Sequence, residues 1–106
     1  MNDIIIQYPL SQETAQELRE PVLGVVLDSI KSVTETDDGF VLNFGRESSI
    51  INPVSHMIEI ERVLNPFLRM ALIVESSQGP IKLELNGPSG TKDFLTKEFG
   101  LRRWLS

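Results

Sequence analysis

The residue whose surroundings most favour chemistry is Glu61, a carboxylate that falls inside an apolar stretch. On a helix over residues 53–64, with 100° between neighbours, Glu61 projects within the apolar stripe. A carboxylate on a buried stripe has to be paired, protonated or hydrogen-bonded, because an isolated buried charge costs many kcal/mol. Arg62 and Arg69 are its predicted partners. Three roles stay open for Glu61: a structural ion pair, a ligand in a polar pocket, or a general acid or base.

His56 is the only histidine of the chain, and histidine is suited both to proton transfer and to metal binding. On the same helix it projects away from the apolar stripe, which predicts a solvated surface side chain; a ligand or pH-sensing role is the alternative. Nucleophilic catalysis is not predicted, because no serine lies in a G-x-S-x-G elbow. We therefore expect no catalytic set, no resident metal and no cofactor.

The segment over residues 87–92, Gly-Pro-Ser-Gly-Thr-Lys, superficially resembles a phosphate-binding loop. It lacks the G-x-x-x-x-G-K-[ST] spacing and precedes only a short predicted helix. The sequence therefore favours a plain connection between a strand and a helix at this point.

A cluster of two cations and one aromatic residue, Arg102, Arg103 and Trp104, lies near the C-terminus. Such a cluster is suited to stacking on a nucleobase, to lying on a membrane surface or to anchoring a partner protein. The favoured interpretation is structural: Leu101, Trp104 and Leu105 fold back onto the core while the two arginines face water.

The elements that must position these residues are predicted from turn signals and hydrophobic periodicity. The order is helix, hairpin, helix, hairpin and helix, over residues 11–26, 29–45, 53–64, 67–86 and 91–99, with a tail at 100–106 and a short strand at 3–7. Residues 58–61 also alternate like a strand, so that alternative stays open. The predicted fold is a single α+β domain over residues 1–106, a four-stranded antiparallel sheet with helices packed on one face.

The first helix is predicted to begin at Ser11, which can act as the N-cap. Pro21 removes one backbone hydrogen bond, so the helix should kink or restart there. The apolar residues spaced by three and four along this helix predict one buried stripe, made of Leu10, Ala15, Leu18, Val22, Val25 and Val26. Thr91 is predicted to cap the last helix.

Two stretches of the chain share a pattern with other proteins. They cover residues 57–69 (M-I-E-I-E-R-V-L-N-P-F-L-R) and residues 79–95 (G-P-I-K-L-E-L-N-G-P-S-G-T-K-D-F-L). These stretches resemble a family of small uncharacterised bacterial proteins, whose members read W-I-x-L-E-R-x-C-C-P-F-L-R-F and G-P-L-x-L-x-L-T-G-P-x-G-x-K-x-F-L. The resemblance covers most of residues 37–99 and supports the helical interpretation of 53–64.

The chain departs from this family at the paired cysteines, which are replaced here by Leu64 and Asn65. In the family pattern, E-x-x-C-C places a carboxylate and two thiols on one helical face, an arrangement suited to a soft metal or to redox chemistry. Without thiols the cluster loses its nucleophiles and its soft ligands. The resemblance implies a degenerate member of a metal- or thiol-handling family, which retains an acidic pocket at Glu61 with His56 or another ligand within reach.

Composition limits these roles further. The chain has 106 residues, of which 41% are hydrophobic and none is cysteine. A domain of this length buries roughly two-thirds of its unfolded surface, so we expect a core without disulfides. The lack of cysteine fits a reducing, cytoplasmic compartment. No apolar run approaches the roughly 20 residues of a membrane helix, and the N-terminus does not resemble a secretory signal.

Charge is unevenly distributed, with a net charge of -8 over residues 1–61 and +3 over residues 62–106. A chain with an overall charge of -5 gains little from neutralising phosphates, so nucleic-acid binding is disfavoured. A membrane partner is not predicted either.

The leading interpretation is a small, cytoplasmic, non-catalytic binding or assembly module. It would associate with itself or with another protein, through its sheet edges or its aromatic tail. The alternative is the degenerate metal- or thiol-handling protein described above; no small-molecule ligand is assigned. The residues predicted to bind a ligand or a partner are Glu61, Arg62, Arg69, His56, Arg102, Arg103 and Trp104.

Overall fold

The computed structural model describes residues 10–105, which form three α-helices and one four-stranded antiparallel sheet. The predicted α+β class is therefore confirmed. The elements in chain order are α1 (Gln12–Asp28), β1 (Ser32–Glu35), β2 (Gly39–Asn43), α2 (Ile51–Leu64), β3 (Arg69–Val74), β4 (Ile81–Asn86) and α3 (Thr91–Glu98). Short 3-10 helices at Ser48–Ile50 and Leu101–Trp104 precede α2 and follow α3. The strand predicted at residues 3–7 lies outside the described residues.

α1 begins after Ser11, whose hydroxyl accepts a hydrogen bond from the backbone N–H of Thr14 at 3.1 Å. Ser11 is thus the N-cap, as predicted. The helix continues through Pro21 and ends at Asp28, so the predicted restart at Pro21 is wrong. α1 packs along α2. This contact stabilises α1 at Pro21, where the backbone hydrogen bond is missing because proline has no N–H.

The buried face of α1 differs from the predicted stripe. Ala15 and Leu23 are buried, whereas Leu18 is 40% exposed and Val25 is 51% exposed. The prediction that Leu18 and Val25 face the core is wrong, because the helix is rotated by about one residue relative to the prediction. With this rotation, Arg19 lies on the buried face of α1, four residues after Ala15 and four before Leu23.

α2 begins at Ile51, two residues before the predicted start, because the 3-10 helix Ser48–Ile50 leads directly into it. The strand alternative for residues 58–61 is wrong, since this segment is helical. α3 begins at Thr91, but its N-cap is Gly90, which has a left-handed backbone with φ of 95°. The prediction that Thr91 is the cap is therefore wrong by one residue.

β4 lies inside the sheet, in the strand order β1-β2-β4-β3. Its residues alternate along the strand: Ile81, Leu83 and Leu85 are buried, and the residues between them are half-buried. Leu83 is flanked by Leu42 on β2 and by Leu72 on β3, on the same face of the sheet. This apolar face belongs to the core, and a slip of one residue would turn it towards solvent.

Within residues 10–105, no helix combines the length and the apolarity that crossing a bilayer requires.

Candidate functional site

Glu61 lies at the centre of a polar cluster between the helices. Its Oε2 accepts a hydrogen bond from Arg19 Nε at 2.9 Å, and its Oε1 accepts one from Asn65 Nδ2 at 2.7 Å. The side chain is 0% exposed, which confirms that Glu61 belongs to the buried stripe of α2. Both carboxylate oxygens are therefore occupied, and the buried charge is paired as its burial requires.

Arg19 extends this cluster from α1 to α3. Its Nη1 lies 3.5 Å from Glu98 Oε1, and its guanidinium carbon lies 5.8 Å from the centroid of the Phe99 ring. The contact with Glu98 is weak because that side chain is 50% exposed. Arg19 Nη2 is buried and has no hydrogen-bond partner within residues 10–105. One arginine of α1 thus connects the C-terminal ends of α2 and α3.

The predicted partners of Glu61, Arg62 and Arg69, are wrong. Arg62 is 67% exposed and its Nη1 lies 3.7 Å from Glu59 Oε1, because one step along a helix turns the side chain by 100° away from Glu61. Arg69 is exposed at the start of β3. Arg19 is not among the predicted partners, although its spacing of four residues from two buried apolar residues of α1 marks it as the cation on that face.

The position of Glu61 does not favour catalysis. A cavity of about 400 Å³ on the outside of α1 is lined by Arg19, Leu23 and Glu98, but not by Glu61. A general acid or base has to come within hydrogen-bond distance of its substrate, and both oxygens of Glu61 are held by protein donors. The arrangement is that of a buried structural ion pair.

His56 is exposed, so the structure does not bring its side chain into the buried cluster around Glu61. Among residues 10–105 there is no group of three or more histidine, aspartate or glutamate side chains that could hold a metal ion. The two members of the predicted ligand pair thus differ in environment, since Glu61 is buried and His56 is exposed to solvent.

The C-terminal aromatic residue packs onto its own domain. Leu101 is 0% exposed, and Trp104 and Leu105 pack against the hydrophobic core. Arg103 places its guanidinium carbon 4.1 Å from the centroid of the Trp104 ring, in a cation–π contact. Arg102 and Arg103 are exposed. The predicted arrangement of Arg102, Arg103 and Trp104 is therefore confirmed: the indole packs against the core and the two arginines face solvent.

The loop over residues 87–90 connects β4 to α3. Lys92 Nζ donates a hydrogen bond to Glu35 Oε2 at 2.6 Å, so this cation is engaged with β1. Thr91 Oγ1 is buried without a hydrogen-bond partner in the described part of the chain, and a Cβ at Gly87 would lie 2.6 Å from it. Glycine at position 87 thus allows the loop to approach α3 closely.

β3 forms one edge of the sheet, and β4 is its only neighbouring strand within residues 10–105. Arg69 is its only charged residue, and the five residues that follow are apolar; the last of them, Val74, is 57% exposed. β1, at the opposite edge, has four residues of which only Val33 is apolar. The 3-10 helix Leu101–Trp104 lies beside β1. The β3 edge is therefore the longer and more apolar of the two.

A comparison of the chain with protein-family models, with curated proteins and with solved structures gives no significant match.

Proposed function

We propose that this protein is a small, cytoplasmic, non-catalytic assembly module that associates with itself through the β3 edge of its sheet. The observation that supports this most strongly is the β3 edge itself, a six-residue strand with five consecutive apolar residues and an exposed Val74. An edge strand of this kind presents unpaired N–H and C=O groups and serves as a template for another strand.

The differences between the two edges favour β3 over β1. Monomeric proteins protect their edges with charges, short strands or covering segments. β1 has these features: it is short, it carries Glu35 in an ion pair with Lys92, and a 3-10 helix lies beside it. In the part of the chain that the structure describes, β3 has one such feature, the charge of Arg69 at its first residue.

In this proposal two helix–hairpin units place the helices on one face of the sheet and leave β3 at the edge for a partner. The C-terminal aromatic residue is less suited to this role, because Trp104 already packs against the core.

The molar mass of the full chain in solution tests the proposal. Light scattering during gel filtration, over a range of micromolar concentrations, should give a mass that rises from 11.9 kDa towards a multiple of it. A monomer at every concentration would contradict self-association.

We further propose that the chain is a member of the resembled cysteine-containing family and has replaced the thiol cluster of that family with a structural one. The contact that favours this is the hydrogen bond from Asn65, at the position of the second cysteine, to Glu61 at 2.7 Å. Zinc or copper in excess should leave the melting temperature unchanged, whereas an increase with metal concentration would contradict the loss of metal handling.

A further inference from the structure

The backbone hydrogen bonds identify which groups of β3 point away from the sheet. The N–H of Glu75 donates to the carbonyl of Pro80 at 3.2 Å, so Glu75 is turned towards the β4 side. On β4, Ile81 donates to Gly45 and accepts from Phe44, so its groups are turned towards β2. In an antiparallel pair, residues that face each other alternate between hydrogen-bonded and non-hydrogen-bonded positions.

This alternation assigns every residue of β3. Val74 is opposite Ile81, so Val74 is not hydrogen-bonded to β4, and neither are Leu72 and Met70 two and four residues earlier. The N–H and C=O groups of Met70, Leu72 and Val74 therefore point outwards from the sheet edge. Their side chains lie on the core face, because Leu72 and Met70 are opposite the buried Leu83 and Leu85.

Two-fold symmetry then restricts the register in which two copies of β3 can pair. In an isologous interface, residue i meets residue j and residue j meets residue i. Met70, Leu72 and Val74 of one strand are all opposite members of the same set on the second strand only when Leu72 lies opposite Leu72 of the second copy. Met70 is then opposite Val74 of the second copy, which gives about six backbone hydrogen bonds. Symmetric registers shifted by two residues pair Val74 with Leu68, or Met70 with Ser76.

The same register brings opposite charges together. Arg69 and Glu75 are each three residues from Leu72, on opposite sides, so Arg69 lies opposite Glu75 of the second copy, and this contact occurs twice. In the pair formed by the two copies of β3, both residues are at non-hydrogen-bonded positions, where the side chains that face each other are closest. Among the described residues, the one ion pair of the Glu75 side chain is a partly exposed contact with Lys82 Nζ, at 3.6 Å. Val74, 57% exposed, would pack beside Met70 of the second copy.

We propose that a second copy of this chain adds to the β3 edge in antiparallel orientation, with Leu72 on the two-fold axis and Arg69 facing Glu75 of the second copy. This inference rests on the proposed self-association, and it specifies both the partner and the register. The product is a continuous sheet that joins the four strands of each copy.

Charge reversal in the full chain tests the register. Sedimentation equilibrium at low salt should give dissociation constants about tenfold higher for Arg69→Glu and for Glu75→Arg than for the wild type, because each places like charges opposite each other twice. The double variant Arg69→Glu/Glu75→Arg should return to within about threefold of the wild type. Lys97→Glu makes the same charge change as Arg69→Glu at an exposed position of α3 and should leave the constant unchanged.

The outcomes separate the register from self-association. A wild-type dimer that tolerates both single reversals, or a double variant no better than the singles, overturns the register and leaves self-association standing. A wild type that is monomeric throughout, as it would be with a segment of its own chain on the β3 edge, overturns both proposals. Circular dichroism of each variant establishes that it is folded before its mass is compared.

Discussion

Removing the positive charge from the buried cluster should be among the most damaging single changes to this fold. In Arg19→Met, Glu61 keeps its hydrogen bond from Asn65 but loses the cation 2.9 Å from its Oε2. Breaking a buried ion pair from one side costs about 3–5 kcal/mol, because it leaves an uncompensated charge. Arg19 is 22% exposed, so solvent screens part of the interaction. We expect a loss of about 3 kcal/mol.

Urea denaturation followed by circular dichroism measures this loss as a change in the free energy of unfolding. Arg62→Met is the matched control: it removes the same charge from an arginine that is 67% exposed, and it should cost less than about 0.5 kcal/mol. The double variant Arg19→Met/Glu61→Leu should be more stable than Arg19→Met, since no buried charge is left unpaired. If Arg19→Met costs no more than Arg62→Met, the cluster does not stabilise the fold as described.

Two further predictions concern the backbone of the hairpins. Gly39→Ala should cost more than about 2 kcal/mol, because its Cβ would lie 1.8 Å from the carbonyl oxygen of Leu85 on the neighbouring strand; a melting temperature equal to that of the wild type would refute this contact. Gln78→Gly should stabilise the β3–β4 turn by about 0.5 kcal/mol, because Gln78 has a left-handed φ of 56° that glycine adopts without strain. A lower urea midpoint for Gln78→Gly would contradict that prediction.

The burial of Glu61 could be predicted from the sequence because it depends only on the periodicity of one helix. The partner of Glu61 could not be predicted in the same way, since Arg19 is 42 residues away in the chain. Identifying it requires the rotation of α1, and the apolar Leu18 and Val25 favoured the wrong rotation. Both of these side chains are exposed in the structure.

The edge strand could not be identified from the sequence for a different reason. The hairpins are predicted from local turn signals, but nothing local determines which strand of one hairpin pairs with which strand of the other. The structure pairs β2 with β4, which places the apolar β3 at an edge. This strand order makes the segment from Arg69 to Val74 a candidate interface, whereas its sequence alone is equally consistent with a strand inside the sheet.

The exchange rate of the Leu72 amide tests the self-association of β3 most directly. In a monomer this N–H points away from the sheet, whereas in the proposed dimer it is hydrogen-bonded to the second copy. Hydrogen exchange followed by NMR should therefore show protection of Leu72 that increases with protein concentration, while Ala71, hydrogen-bonded to β4, stays protected throughout. Rapid exchange of Leu72 at every concentration, or protection that does not depend on concentration, would contradict self-association through β3.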